Sequence, residues 1–269
     1  MRSRYRHKYQ VGLASRFRFP IASFMRIFTW SFVRGFTQSS MCIVYMHFLL
    51  QRQQISGVSL RRCAKLLKVS YNTVVKHFYF LAEQAKAIHL EYLKGIQTSF
   101  VQVDEMETFM IARPCALSVP MVVRVKTGHI LGFAIARMPA KGHLAEVGQI
   151  RYNWTKDERS VKFQSLIFNL KDCFKDEITF KSDSHTSYTK WIKNQIPHAK
   201  FQKVAGAKKK TPPGQDKPFD ELFAINNMFA RMRHDMNRLA RKTWSTTKCE
   251  KGLEAHIWLY VAWNNGYLK

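Results

Sequence analysis

The sequence predicts an α/β protein in which an all-α region precedes a mixed five-stranded sheet with flanking helices. Apolar residues recur at a helical spacing from Ala22 to about Leu93, whereas from Phe100 onward they alternate with the period of two that is typical of strands. Residues 126–129 have hairpin turn chemistry between two β-rich runs. We therefore predict a helical DNA-binding region over residues 1–95 and an α/β domain over residues 99–269.

The charge of the chain indicates a polyanionic partner. The 269 residues include 44 Lys and Arg against 18 Asp and Glu, a net charge of +26, and 46% of them are hydrophobic. That hydrophobic content supports an ordered core, yet a compact body with this charge repels itself. Nucleic acid is the first candidate partner and an anionic membrane surface the second. An acidic small-molecule enzyme with a neutral exterior is excluded.

The cysteines and the apolar segments indicate a reduced, cytoplasmic protein. No C-x-x-C pair occurs, and five isolated cysteines argue against a disulfide framework or a zinc finger. The most apolar early stretch, residues 19–50, is interrupted by Arg26 and Arg34, so we expect no membrane span. Residues 1–18 are basic and do not resemble a secretory signal. We expect a soluble protein associated with the nucleoid. The cysteines are Cys42, Cys63, Cys115, Cys173 and Cys249.

Residues 58–80 have the pattern of a helix-turn-helix. Leu60, Cys63, Ala64 and Leu67 share one helical face, and Ser70 is a suitable N-cap for a second helix. That helix would present polar and basic side chains to the major groove of DNA. The alternative is an ordinary helical hairpin with a solvated basic face. The residues predicted to face the DNA are Asn72, Thr73, Lys76 and His77, and those predicted to face inward are Val74, Val75 and Phe78.

The remaining elements follow from changes of period along the chain. We predict three antiparallel strands, then a helix, a short fourth strand, a second helix, a fifth strand, a basic loop, a long helix and a final helix. The predicted ranges are 100–104, 117–125, 130–138, 160–175, 178–180, 187–196, 199–204, 205–217, 219–241 and 253–264.

The few acidic residues include two that a mixed sheet would bring together. Asp104 is predicted to end the first strand, and Asp183 to lie just beyond the fourth. In a sheet of the ribonuclease H type these strands are neighbours, so the carboxylates would converge and could hold a pair of Mg²⁺ ions for phosphoryl transfer. The alternative is a solvated aspartate at a strand end. His185 and His256 are either functional or simply packed histidines, and no nucleotide-binding or hydrolase motif occurs.

Three blocks, in order, resemble the IS1-type insertion-sequence transposases. Residues 103–109, Val-Asp-Glu-Met-Glu-Thr-Phe, resemble the first acidic block of that family. Ser182-Asp183, with His185 and Tyr188, resembles the second. Residues 225–248, with the run Arg-Leu-Ala-Arg-Lys-Thr at 238–243, resemble its basic helix and the segment after it, followed by Glu254 and His256. The resemblance covers residue 58 to the C terminus.

Two features depart from that family. The N-terminal cysteine zinc motif that is usual in that family is missing. Two explanations remain: the chain is a truncated form, or its basic N-terminal helices replace that module. At the expected third acid, at the start of the long helix, the chain has Asn226. Its amide oxygen can still reach Mg²⁺, but it carries no charge. On a helix that begins at residue 219, Asp220 and Glu221 point away from the face of Asn226.

The resemblance implies a DNA transposase that cleaves transposon ends and joins them to target DNA. Asp104, Asp183 and Asn226 would be its catalytic residues and the ligands of two Mg²⁺ ions, with Mn²⁺ as a substitute. It would act on DNA as a homodimer or larger assembly. A catalytically inactive, transposase-derived DNA-binding protein and a nuclease acting on RNA or hybrids are the alternatives. The long helix would hold DNA phosphates through Arg231, Arg233, Arg238, Arg241 and Lys242; Lys208, Lys209 and Lys210 either do likewise or form a solvated loop.

Overall fold

A computed structural model describes residues 38–183, 186–204, 220–240 and 245–267, with side chains from residue 46 onward except that of Thr186. Several predictions therefore lie outside the described residues: the basic lead over residues 1–18, His185, the loop 205–217 with its three lysines, and Arg241 and Lys242. By its contacts the chain divides into residues 1–45 and residues 46–269, and the second of these forms one compact unit. The functional division near residue 95 stays a prediction.

The helical region consists of helix α1 (Gln38–Gln54), helix α2 (Leu60–Leu67) and helix α3 (Tyr71–Lys94). The predicted boundary between α2 and α3 is confirmed. Lys68 takes the left-handed conformation at the end of α2, and the Ser70 hydroxyl accepts a hydrogen bond from the Thr73 N–H at 3.1 Å. Cys63, Ala64, Val74 and Phe78 are buried as predicted, while Val75 is half-buried. Side-chain capping at Ser70 therefore fixes where the second helix begins.

In the described part of the chain, six strands form one mixed sheet. They are β1 (Thr98–Phe109), β2 (Ala116–Arg124), β3 (His129–Phe133), β4 (Ala136–Arg137), β5 (Phe174–Asp183) and β6 (Lys200–Val204). The order is β3-β2-β1-β5-β6. The short strand β4, which follows β3 in the chain, also pairs with β2. Strands β1, β2 and β3 are antiparallel, whereas β5 runs parallel to both β1 and β6. The predicted adjacency of the first and fourth strands is confirmed.

The third predicted strand, 130–138, is interrupted at residues 134 and 135. Pro120, in the middle of β2, is the cause. Its carbonyl accepts from the Ala134 N–H at 3.0 Å, so its nitrogen faces the same neighbour, and that nitrogen carries no hydrogen to continue the ladder. The chain pairs again where Ala136 meets Ser118.

Helices cover both faces of the sheet. Helix α7 (Phe223–Asp235) and helix α8 (Glu250–Asn264) pack on the face that carries Met106 and Met121. Helix α5 (Arg159–Leu170) and helix α6 (Thr186–Gln195) pack on the face that carries Val103 and Phe180. Helix α8 also packs against α2 and α3 through Ala255 and Leu259. The helices α2 and α3 are thereby joined to the sheet through α8.

Several predicted boundaries are wrong. Strands β1 and β5 are longer than expected, so Asp104 lies inside β1 rather than at its end, and Asp183 is the last residue of β5. Residues 175–177 are charged and exposed, so the first part of β5 has no alternating apolar pattern by which it could be predicted. The long helix spans only residues 223–235, followed by a 3₁₀ turn at Asn237–Leu239.

Helix α4 (His143–Tyr152) was not predicted, because Gly148 is its only buried residue and it carries no apolar stripe. Among the described cysteines, Cys63, Cys115 and Cys173 are buried, Cys249 is exposed, and none forms a disulfide. No helix in the described ranges has the length and apolar character that crossing a membrane requires.

Candidate active site and nucleic-acid interface

Asp104 and Asp183 lie side by side on the two central parallel strands. Gln102 pairs with Lys181 across β1 and β5, so two residues further along both strands Asp104 comes level with Asp183. Neighbouring strands are about 4.8 Å apart, and residues two apart on a strand share a face. Both aspartates are half-buried, on the face that α7 covers. The sheet therefore brings together the two acids that are 79 positions apart in the sequence.

The surroundings of Asp104 disfavour its charge. The pKa of Asp104 is raised to about 6, first by burial and then by the negative charges of Asp183 and Glu105. The Glu105 N–H, which donates to Asp104 Oδ1 at 2.8 Å, and the positive charge of Arg233 act in the opposite direction. A bound cation would favour the ionised form of Asp104 beside the second carboxylate.

Gln102 and Lys181, which pair with each other across β1 and β5, hold the start of α7 over this face. Gln102 is 3% exposed. Its amide nitrogen donates to the Glu221 carbonyl at 2.8 Å, and its amide oxygen accepts from the Ile225 N–H at 3.0 Å. Beside it, the Lys181 ammonium lies 2.6 Å from the Glu221 carboxylate. Sequence reasoning missed both residues, although each precedes a predicted acid by two positions and hence shares its face of the sheet.

Asn226 lies in the first turn of α7, directly after the anchored Ile225, and is exposed. Because α7 begins at Phe223 rather than at residue 219, Asp220 lies outside the helix. Asn226 Nδ2 donates to Asp220 Oδ2 at 3.0 Å. The expectation that Asp220 points away from Asn226 applied to a helix that begins at residue 219; that predicted start is wrong, and Asp220 contacts Asn226 instead. Glu221 does point elsewhere, toward Lys181.

The three described arginines of the predicted DNA-holding helix have different surroundings. Arg231 is exposed, with its guanidinium 5.4 Å from the centre of the Trp263 ring. Arg233 is near enough to Asp104 to lower the pKa of that carboxyl. Arg238 lies beyond the helix, and its Nη1 donates to the Gly252 carbonyl at 2.6 Å. Burial lowers the pKa of Arg238, which favours a structural role for it over phosphate binding.

The outward face of α2 and α3 has the predicted polar character. Asn72 and Lys76 are exposed, and Thr73 is half-buried. His77 is less available, because its Nδ1 lies 2.6 Å from Nε2 of His47 on α1. The exposed basic residues of α2 extend the same charge; they are Arg61, Arg62 and Lys65.

The later residues of the resembling blocks serve the packing of the protein. His256 is buried, its Nε2 lies 2.8 Å from the Gln54 carbonyl, and burial lowers its pKa to about 3. Glu254 is exposed and lies 3.7 Å from the Lys86 ammonium. Tyr188 is buried on α6 and stacks on Phe163. Its pKa is raised, chiefly by burial and further by the nearby acids, Asp104 and Asp183 among them.

The candidate donors are hard oxygen atoms of the kind that Mg²⁺ and Mn²⁺ prefer. They are the carboxylates of Asp104 and Asp183 and the amide oxygen of Asn226. In the described ranges no three His, Cys, Asp or Glu side chains form a metal-binding group, and the third candidate donor is the uncharged amide of Asn226. Burial and the negative charge of Asp183 both raise the pKa of Asp104, and a divalent cation beside it would favour the ionised carboxylate.

No family model matches this sequence, and no curated protein matches it significantly.

Proposed function

We propose that the protein is a DNA transposase of the insertion-sequence type, which cleaves transposon ends and transfers them to target DNA. The observation that carries the proposal is the position of Asp104 and Asp183, level with each other on adjacent parallel strands beneath the anchored start of α7. The strand order β3-β2-β1-β5-β6 is consistent with a ribonuclease H-like sheet. The net charge of +26 suits a nucleic-acid substrate.

Asp104, Asp183 and Asn226 would hold two Mg²⁺ ions, with Mn²⁺ as a substitute. When bound, the ions would polarise the scissile phosphate and favour in-line displacement by a water or a 3′-hydroxyl. Asp104 and Asp183 would contribute half-buried carboxylates, and Asn226 a neutral amide oxygen. Gln102 holds the Asn226 turn in place, and Arg231 offers an exposed cation for the DNA backbone.

The helix-turn-helix would recognise the transposon ends. Asn72 and Lys76 are exposed near the start of α3, where a recognition helix contacts base edges. We expect N72A to weaken binding to the native end sequence more than to unrelated DNA, and K76A to weaken both alike. Fluorescence anisotropy at two salt concentrations measures this. Equal losses on both DNAs for N72A would contradict base reading by that residue.

Cleavage tests the enzymatic proposal directly. The substrate is supercoiled plasmid carrying the DNA that flanks the gene on both sides, with Mg²⁺ or Mn²⁺. We expect nicking by the wild type and none by D104A. A matched control is D176A, which removes an exposed carboxylate at the other end of β5 and should leave nicking unchanged. Pairing of two ends implies at least a dimer on DNA, which sedimentation of the complex would reveal.

Two other functions predict different results. A catalytically inactive DNA-binding protein derived from a transposase would bind the flanking DNA while the wild type and D104A behave alike with either metal. The neutral Asn226 is the feature that favours it. A nuclease acting on RNA or hybrids would cleave those substrates in preference to DNA, still with loss of activity in D104A.

A further inference from the structure

The carboxylate of Asp220 fixes which way the amide of Asn226 faces. Asp220 Oδ1 accepts the Leu222 N–H at 2.9 Å, and Asp220 Oδ2 accepts from Asn226 Nδ2 at 3.0 Å. An ionised carboxylate only accepts hydrogen bonds, so the amide nitrogen, and not the amide oxygen, must face it. The Oδ1 atom of Asn226 is consequently turned away from Asp220.

The side of α7 that carries Asn226 also carries Arg233, whose charge acts on Asp104. Asn226 and Arg233 are seven residues apart, so they lie on the same side of the helix, two turns from each other. Arg233 is close enough to Asp104 to lower the pKa of that carboxyl. Near the start of α7, the Ile225 N–H donates to the amide oxygen of Gln102. Gln102 is two residues from Asp104 on the same face of β1.

The other acid of this segment has a different partner. Glu221 lies 2.6 Å from Lys181, whose side chain is only 15% exposed, so this pair anchors the segment to β5. Glu221 therefore cannot orient Asn226 without releasing Lys181. Asp220 alone among the two acids contacts the amide.

We propose that Asp220 is a positioning residue, which turns the Asn226 amide so that its oxygen faces Asp104 and Asp183 as the third donor to a divalent cation. This inference rests on the proposed function. It explains how a neutral residue can take the place of an acid: an amide could present either end to a cation, and the neighbouring carboxylate selects the oxygen. Partners of metal ligands commonly set the affinity of the site in this way.

Manganese binding tests the inference without relying on cleavage. Calorimetric titration of Mn²⁺ into the full-length protein should show an affinity about tenfold or more lower for D220A, within the range that the loss of such partners causes. D220N should also lower the affinity, because Asp220 accepts its two hydrogen bonds through separate oxygens and an amide supplies only one oxygen. N226A and the double variant D220A/N226A should bind alike, since both act through one group. Additive losses would overturn the inference.

Exchange of the two groups gives a second test that creates no cavity. N226D alone places two carboxylates against each other and removes the donor, whereas D220N/N226D restores a donor and an acceptor in reversed order. We expect the exchanged pair to bind Mn²⁺ more tightly than N226D alone. Equal affinities would contradict a role for the hydrogen bond.

The controls separate this inference from the proposed function. D176N removes one exposed carboxylate from the far end of β5 and should not change Mn²⁺ affinity, and thermal unfolding verifies that each variant is folded. If D104A binds Mn²⁺ as the wild type does, the metal site of the proposed function fails and this inference with it. If D104A loses binding while D220A keeps it, only the role of Asp220 is refuted.

Discussion

Replacing Gln102 by leucine should destabilise the protein by removing the anchor of α7. The amide of Gln102 makes two hydrogen bonds to the backbone around the start of this helix, one buried at 3.0 Å and one partly buried at 2.8 Å. The Ile225 N–H is among the first four of the helix, which have no acceptor within it. Leaving that buried donor unpaired costs about 1–3 kcal/mol, and losing the second bond about 1 kcal/mol more. We expect Q102L to lower the free energy of unfolding by about 2–4 kcal/mol.

Urea unfolding followed by tryptophan fluorescence measures this loss. The chain offers a matched control in the same row of the sheet, because Gln102 pairs with Lys181 and Lys181 pairs with Gln202. Gln202 is exposed on β6, so Q202L should change the free energy of unfolding by less than about 0.5 kcal/mol. If Q102L and Q202L have the same stability, the amide of Gln102 does not hold α7.

Three further substitutions test other parts of the structure by the same unfolding measurement. The pKa of Asp104 is raised to about 6 from 3.8, so the folded state loses stability as pH rises through that interval. We therefore expect D104N to be more stable than the wild type above pH 6, by on the order of 1–3 kcal/mol, and no more stable below pH 4. His256 is buried and its pKa is lowered to about 3, so the wild type loses stability as pH falls below 6.5. H256L leaves the Gln54 carbonyl unpaired and should lower the free energy of unfolding by about 1–3 kcal/mol at pH 7.5, and by less at pH 5. S70A removes the cap on the Thr73 N–H and should cost about 1 kcal/mol. A D104N advantage that does not change with pH, an H256L loss that grows on acidification, or an S70A variant as stable as the wild type would each contradict the corresponding argument.

The sequence by itself determined the features that depend on neighbouring residues. The boundary between α2 and α3 follows from the N-cap chemistry of Ser70, a contact spanning only three residues. The hairpin between β2 and β3 follows from the turn residues 126–129, where Gly128 takes the positive φ that the turn needs. Alternation from residue 100 onward identified the strand that carries Asp104, although not its full length.

Only the tertiary structure decided the two ends of α7 and the contacts made there. Gln102 pairs with the backbone around residue 225, and Asn237, just beyond the helix, donates to the carbonyl of Gly57. Both contacts join residues more than a hundred positions apart, and no local periodicity records them. The contact between Asp220 and Asn226 also depends on tertiary structure. Residues six apart do not share a face of one regular helix, and these two are in contact because α7 begins after Asp220.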